Sequence, residues 1–186
     1  MLGGGKFATA ATNLMGSNAE TLFQRVCVAR GMTLRPATRF ENIVRHFDFV
    51  VTPWTAFPLP SRSARVEVKS IKCPRRGARP DPTLIYVELR GVLGHKGWVF
   101  GDADLVAFEQ PNDSFLIVKR DELAQRAKEM HATAPMGVSS GIKGTLWSRP
   151  DRDDLVLCMD RDRDVKTLAH VHTMKLVEPQ QIKNES

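Results

Sequence analysis

The chain is poor in cysteine and has no long hydrophobic run, and both absences exclude classes of protein. Its three cysteines, Cys27, Cys73 and Cys158, are scattered and include no C-x-x-C pair. An odd, unclustered set argues against a disulfide framework and a zinc site, and it favours a reducing compartment. No apolar run approaches the ~18 residues of a membrane span. We therefore expect no membrane partner.

The start of the sequence lacks the charged residues and the apolar run of a secretory signal. Residues 1–16 are mostly small, and we expect a flexible arm there. These absences predict an intracellular location, in the cytoplasm or the nucleus. A viral or phage origin fits the composition equally well.

The composition is that of a soluble globular protein with an ordinary hydrophobic core. The chain has 186 residues, of which 42% are apolar and 26% are charged, which suits one domain with a small extension. The formal net charge of +6 is compatible with a polyanionic partner. The placement of that charge is more informative than its size.

The most informative stretch runs from Arg45 to Lys72 and contains two apolar segments with embedded charges. Asp48 lies in the first segment, and after eighteen further residues Glu67 and Lys69 lie in the second. Apolar residues alternate with these three: Phe47, Phe49, Val51, Val66 and Val68. Alternate side chains of a strand share a face. Two paired strands would therefore bury one face and bring two carboxylates and an amine together on the other.

Such a trio has a chemical use in phosphodiester hydrolysis. Two carboxylates can hold Mg²⁺, which keeps several waters and usually recruits phosphate oxygens as its other ligands. A neighbouring lysine can orient or activate the attacking water and offset charge on the phosphate. The pattern predicts metal-assisted hydrolysis.

The chain resembles the PD-(D/E)XK nuclease superfamily, which has the restriction-endonuclease-like fold. The resemblance lies in the order of residues on neighbouring strands: an aspartate, a spacer, a glutamate, any residue and a lysine. The resemblance implies an α/β domain with a mixed central sheet flanked by helices. It also implies hydrolysis of DNA with Mg²⁺, for which Mn²⁺ substitutes. Asp48, Glu67 and the carbonyl of Val68 would bind the metal, and Lys69 would position or activate the water. The family often has a proline before its aspartate, where this chain has His46 and Phe47.

A first helix is predicted from about Asn18 to Arg30, ended by Gly31. Glu20 stands beside its apolar stripe. In the family that the chain resembles, a first-helix glutamate often approaches the metal, which would make Glu20 a third acid of the site. The stretch from Ser17 to Glu20 also matches a capping box, in which the glutamate bonds the backbone at the helix start. Both interpretations stay open here.

A basic stretch follows the second segment and is predicted to contact nucleic acid. Lysine and arginine near a cleavage site neutralise phosphates and supply affinity that does not depend on base sequence. A basic surface loop with no specific ligand would explain the same residues. The predicted contacts are Lys72, Arg75, Arg76 and Arg79, with Lys96 at the tip of a later turn.

The later elements complete the order that the resemblance implies. Strands are predicted within residues 84–92 and 97–110, a strand buried on both faces at Phe115–Val118, and a helix from Asp121 as N-cap to Met130. The nuclease core is assigned to residues 17–130. Residues 131–186 are predicted to form a small β extension packed on the core, a hairpin of Leu155–Met159 with Thr167–Val177.

The function predicted is structure-directed or nonspecific cutting of DNA, because nothing in the chain is typical of a module that reads base edges. One alternative is a non-catalytic nucleic-acid-binding or assembly protein on the same fold. Another is an RNA-processing nuclease, with RNA as the partner. Paired cuts on two strands would favour a homodimer.

Overall fold

The computed structural model describes residues 18–56, 58–75, 77–149 and 152–176. The expected arm at 1–16 therefore lies outside the described residues. The two helices are α1, at residues 18–28, and α2, at Arg120–His131. The strands are β1 Thr33–Pro36, β2 Phe49–Thr52, β3 Ala64–Lys69, β4 Leu84–Arg90, β5 Leu105–Gln110, β6 Ser114–Lys119, β7 Thr145–Trp147, β8 Leu155–Asp160 and β9 Val171–Lys175. Short helical turns occupy Glu41–Arg45, Trp98–Phe100 and Arg161–Val165.

Within the described residues the strands form two sheets. The larger one has six strands in the order β1-β2-β3-β5-β6-β9, and it is mixed because β3 and β5 run parallel while the other neighbours are antiparallel. The predicted α/β class with a mixed central sheet is confirmed. The smaller sheet is antiparallel, in the order β4-β8-β7. It was not predicted.

The large sheet lies between two apolar cores, because its central strands are apolar on both faces. Phe115 and Ile117 of β6 belong to the core with α1, whereas Leu116 and Val118 belong to the core with α2 and the small sheet. The predicted strand buried on both faces is thus confirmed. In the α1 core, the ring of Phe23 meets that of Phe115 edge to face, with centroids 5.2 Å apart.

The helix ends differ in how well the sequence predicted them. Gly31 follows α1 with φ of +73°, as expected of a terminating glycine. The prediction of Asp121 as N-cap of α2 was wrong, because the helix begins at Arg120. Asp121 lies in the first turn, where its Oδ1 accepts the main-chain N–H of Glu122 over 2.9 Å. The inner face of α2 is buried at Leu123, Ala124 and Ala127.

The two segments predicted as a C-terminal hairpin are strands, but they do not pair with each other. β8 pairs with β4 and β7 in the small sheet, and β9 pairs with β6 at the edge of the large one. Alternation within a segment predicts a strand but not the strand with which it pairs. Here both segments pair with apolar strands that come earlier in the chain, β4 and β6. No helix among the described residues is long and apolar enough to cross a membrane.

Candidate active site

Asp48, Glu67 and Lys69 meet because β2 and β3 are antiparallel neighbours, with Phe49 opposite Val66. Asp48 stands just before β2, and its main-chain N–H donates to the carbonyl of Val66 over 2.8 Å. The three side chains line one open cavity of about 400 Å³. The predicted convergence of two carboxylates and an amine is therefore present in the structure.

The carboxylate of Asp48 is tied to two neighbours. Its Oδ2 accepts the main-chain N–H of Val68 over 2.7 Å, and its Oδ1 accepts the side-chain N–H of Asn42 over 2.6 Å. Asn42 belongs to the turn Glu41–Arg45, which packs at the cavity mouth. Both bonds hold the carboxylate in one orientation at the end of β3.

Lys69 is held between an acid and an aromatic ring. Its Nζ donates to Oε1 of Glu67 and stands 4.8 Å from the centroid of the Trp98 ring. Glu67 is only 6% exposed, so its charge depends on this partner. Trp98 comes from the short helical turn Trp98–Phe100, outside both strands. The ammonium group is thus positioned before any substrate arrives.

Two further carboxylates line the same cavity. Glu20 reaches it from α1, the position that the family resemblance implied for a third acid. Ser17, the partner in the alternative capping box, lies outside the described residues. Glu88 reaches the cavity from β4, so the small sheet contributes to the site. The alternating sequence of this strand allows Glu88 as an extra metal ligand or water-positioning group, but it favours a solvated, outward-facing carboxylate.

Burial in this cavity raises the pKa values of three of its carboxylates. Burial, together with the charge of Glu67, raises the pKa of Asp48 to about 7, although the Val68 N–H and Lys69 oppose the change. Burial also raises the pKa of Glu20 and of Glu88. Burial disfavours the Lys69 ammonium, but the charge and hydrogen bond of Glu67 outweigh it and raise the pKa of Lys69. The cavity is lined by four carboxylates and only two lysines.

The donor set fits a cation that takes few protein ligands. Among the described residues there is no group of three or more histidines, cysteines, aspartates or glutamates arranged to hold a metal ion. Mg²⁺ does not need one, because it is commonly bound by one or two carboxylates, with waters and phosphate oxygens as the rest. Asp48, Glu67 and the carbonyl of Val68 suit that chemistry.

The predicted nucleic-acid contacts do not share one surface. Lys72 lines the acidic cavity, where its Nζ donates to Oγ of Ser70 over 3.3 Å, and burial together with the charge of Lys69 lowers its pKa. Arg75 and Arg79 are exposed on the connection after β3, and Arg76 lies outside the described residues. Lys96 lines a different cavity, beside α2.

Several residues of the cavity were missed because they come from segments with no chemical motif. Glu88 stands in an alternating strand, and its only signal was a carboxylate among apolar neighbours. Asn42 and Trp98 come from short turns, and no sequence pattern joins them to Asp48 or Lys69. The remaining residues in the wall are Ile43, His46 and Ser70.

The chain was compared with models of protein families, with curated proteins and with solved structures, and none of them matched. The geometry of the cavity is therefore the basis for a function.

Proposed function

We propose that the protein is a metal-dependent nuclease with a restriction-endonuclease-like core, and that it hydrolyses phosphodiester bonds in DNA. The observation that carries this proposal is the meeting of Asp48, Glu67 and Lys69 in one open cavity. β3 supplies Glu67 and Lys69, and the residue just before β2 supplies Asp48. Glu67 and Lys69 alternate with Val66 and Val68, which belong to the core with α1.

The proposed roles follow from what each side chain contacts. Asp48 and Glu67 would hold Mg²⁺ or Mn²⁺ with the carbonyl of Val68, and Glu20, which lines the same cavity, would reach the cation through water. The bound cation would polarise the scissile phosphate. Lys69, already held by Glu67 and the ring of Trp98, would orient the attacking water and offset charge on the phosphate.

The charge balance of the cavity also supports this function. Three carboxylates there have raised pKa values, which means that their ionised forms lack sufficient compensation. A structural ion-pair network would pair its acids with bases, as the surface carboxylates of Asp102 and Asp104 pair with arginines. Uncompensated acids in an open cavity are typical of functional sites.

The test is cleavage of labelled single-stranded, duplex, nicked, flapped and four-way DNA, and of RNA, with Mg²⁺, Mn²⁺ or EDTA. Glu67→Gln removes one charge from the cavity, and Glu129→Gln removes one from the exposed face of α2 as a matched control. We expect metal-dependent cutting by the wild type and the control, and loss of cutting in Glu67→Gln. Cutting of RNA alone would assign the site to RNA processing.

One observation favours a non-catalytic nucleic-acid-binding protein as the second candidate. The carboxylate of Glu67 is already bonded to Lys69, so part of the acid charge is neutralised without a metal. Such a protein would bind nucleic acid with a steep dependence on salt and no dependence on Mg²⁺. Binding without cutting under every metal would assign the function to this class.

A further inference from the structure

A second cavity, of about 690 Å³, is lined by the end of β4, the turn that follows it and α2. Four charged bases line it: Arg90, Lys96, Arg120 and Lys128. His95 lies with them, and Asp121 is the one carboxylate among the described residues of its wall. A concave surface with a strong excess of one charge attracts ligands of the opposite charge.

The wall of this cavity is built by a turn that folds back on β4. Lys96 pairs with Arg90 through a β-bridge, and the N–H of Gly91 donates to the carbonyl of His95 over 2.9 Å. The N–H of Gly97 donates to the carbonyl of Leu89 over 3.1 Å, which closes the turn. Arg90 and Lys96 are therefore placed side by side at the end of a strand.

The opposite wall comes from α2 and the turn Trp98–Phe100. The Nζ of Lys128 stands 5.6 Å from the centroid of the Phe100 ring, which holds the ammonium group at the cavity. Arg120 is partly satisfied, since its Nε donates to the carbonyl of Ala103 over 3.1 Å. Lys96 and Lys128 are exposed, and neither has an ion-pair partner among the described residues. Their charges are available to a ligand.

The two cavities are lined by different residues of the same two elements, β4 and the turn Trp98–Phe100. Glu88 and Trp98 line the acidic cavity, whereas Leu89 and Phe100 line the basic one. A chain of phosphates that follows these two elements from the acidic cavity would meet the four bases of the second cavity. The connection after Lys69, by contrast, turns Lys72 into the acidic cavity.

We infer that the basic cavity binds the sugar–phosphate backbone of a DNA strand on one side of the scissile bond. The inference rests on the proposed function and adds the path of the substrate to it. Phosphate contacts position a nucleic acid without reading its sequence. The cavity would therefore hold the strand in register with Asp48 and Glu67 and leave base specificity low.

The experiment is fluorescence anisotropy of labelled single-stranded and duplex DNA at several salt concentrations. Anisotropy is measured in EDTA for the wild type and in Mg²⁺ for Glu67→Gln, so that the DNA is not cut during the binding measurement. The test variant is Lys96→Gln with Lys128→Gln, which keeps part of each side-chain stem. The control is Arg25→Gln with Lys175→Gln, which removes the same charge from exposed positions on α1 and β9.

We expect the test variant to bind single-stranded DNA about tenfold more weakly near 0.1 M salt. The slope of log affinity against log salt should become shallower by about 1.4, as expected for two lost phosphate contacts. The control should stay within about twofold of the wild type. Equal losses in both variants, no loss in the test variant, or no binding of DNA by the wild type would overturn the inference.

Cleavage of the same substrates in Mg²⁺ separates this inference from the proposed function. Selective loss of binding in the test variant, with no cutting by the wild type, would refute the nuclease and keep the binding groove. Normal cutting by the wild type, with test and control variants binding alike, would keep the nuclease and refute the groove. An RNA strand that binds in place of DNA would also overturn the inference.

Discussion

The carboxylate of Asp48 accepts the main-chain N–H of Val68 over 2.7 Å, so the acid that precedes β2 is bonded to the strand that carries Glu67 and Lys69. This bond fixes the distance between Asp48 and β3 at the point where the metal is proposed to bind. It also holds the charge of Asp48 in a half-buried cavity with other acids, which should lower the free energy of unfolding.

The first prediction concerns stability and pH. The pKa of Asp48 is about 7, against an ordinary value of 3.8, so the folded protein binds this proton more tightly than the unfolded chain does. The Asp48 contribution should therefore lower the free energy of unfolding as pH rises from about 4 to about 7. Asp48→Asn should be more stable than the wild type at pH 8, by roughly 2 kcal/mol and at most about 4 kcal/mol.

Urea denaturation at pH 4 and pH 8 in EDTA checks this prediction. In the Asp48→Asn variant the amide oxygen would still accept the Val68 N–H. The amide nitrogen would donate to the side-chain oxygen of Asn42 once the Asn42 amide has rotated. Asp48→Ala removes both the charge and the acceptor for the Val68 N–H, so it should be about 1–3 kcal/mol less stable than Asp48→Asn at either pH. Equal pH dependence in Asp48→Asn and the wild type would show that the charge of Asp48 is not a burden on the fold.

The second prediction concerns metal removal. A cation that binds only the folded cavity stabilises it, by about 2.7 kcal/mol at a concentration of 100 times its Kd. We expect the Tm at pH 8 to rise when Mg²⁺ replaces EDTA, and Glu67→Gln to lose most of that rise. Mn²⁺ titration followed by electron paramagnetic resonance measures the binding directly. A rise in Glu67→Gln as large as in Glu129→Gln would contradict the assigned ligand.

The third prediction separates the role of Lys69 from substrate affinity. Lys69→Ala removes the ammonium group between Glu67 and Trp98, and turnover should fall about 10²–10⁴-fold, as for a lost proton-transfer or water-positioning group. Binding of DNA should change less than about threefold, because the proposed backbone contacts lie in the other cavity. Asp48→Ala should lose metal response and turnover together. Cutting by Lys69→Ala as fast as by Lys175→Gln would refute the role of Lys69.

The sequence predicted the central acids well because their placement follows from local rules. Period-two alternation assigns Asp48, Glu67 and Lys69 to one face, and strands adjacent in the chain commonly pair. Those two facts suffice to bring the three side chains together. The position of Glu20 beside them needed the family resemblance as well, since a helix can approach a sheet in several ways.

The positions of the other residues around the two cavities depended on which sheet each strand joined. Alternation within a strand does not indicate that. β4 looked like another strand of the central sheet, but it pairs with β8, some seventy residues later in the chain. That choice puts Glu88 in the acidic cavity and Lys96 beside α2. The wrong hairpin prediction has the same cause, because β8 and β9 each found a partner remote in sequence.

The last prediction tests the turn that folds Lys96 back onto β4. A Cβ added at Gly97 would stand 1.9 Å from the carbonyl oxygen of Glu88 and 2.7 Å from the carbonyl carbon of Leu89. Both are main-chain atoms of β4, so no side chain can turn aside to make room. Gly97→Ala should therefore lower the free energy of unfolding by about 3 kcal/mol or more.

Gly31→Ala is the matched control for that variant. Gly31 also needs its conformational freedom, with φ of +73°, but a Cβ there would meet no atom within 4 Å. Its cost should be the backbone strain alone, about 1 kcal/mol. Urea denaturation of both variants gives the comparison. A Gly97→Ala protein as stable as Gly31→Ala would mean that the turn does not pack on β4, and then Lys96 would not stand beside Arg90 in the basic cavity.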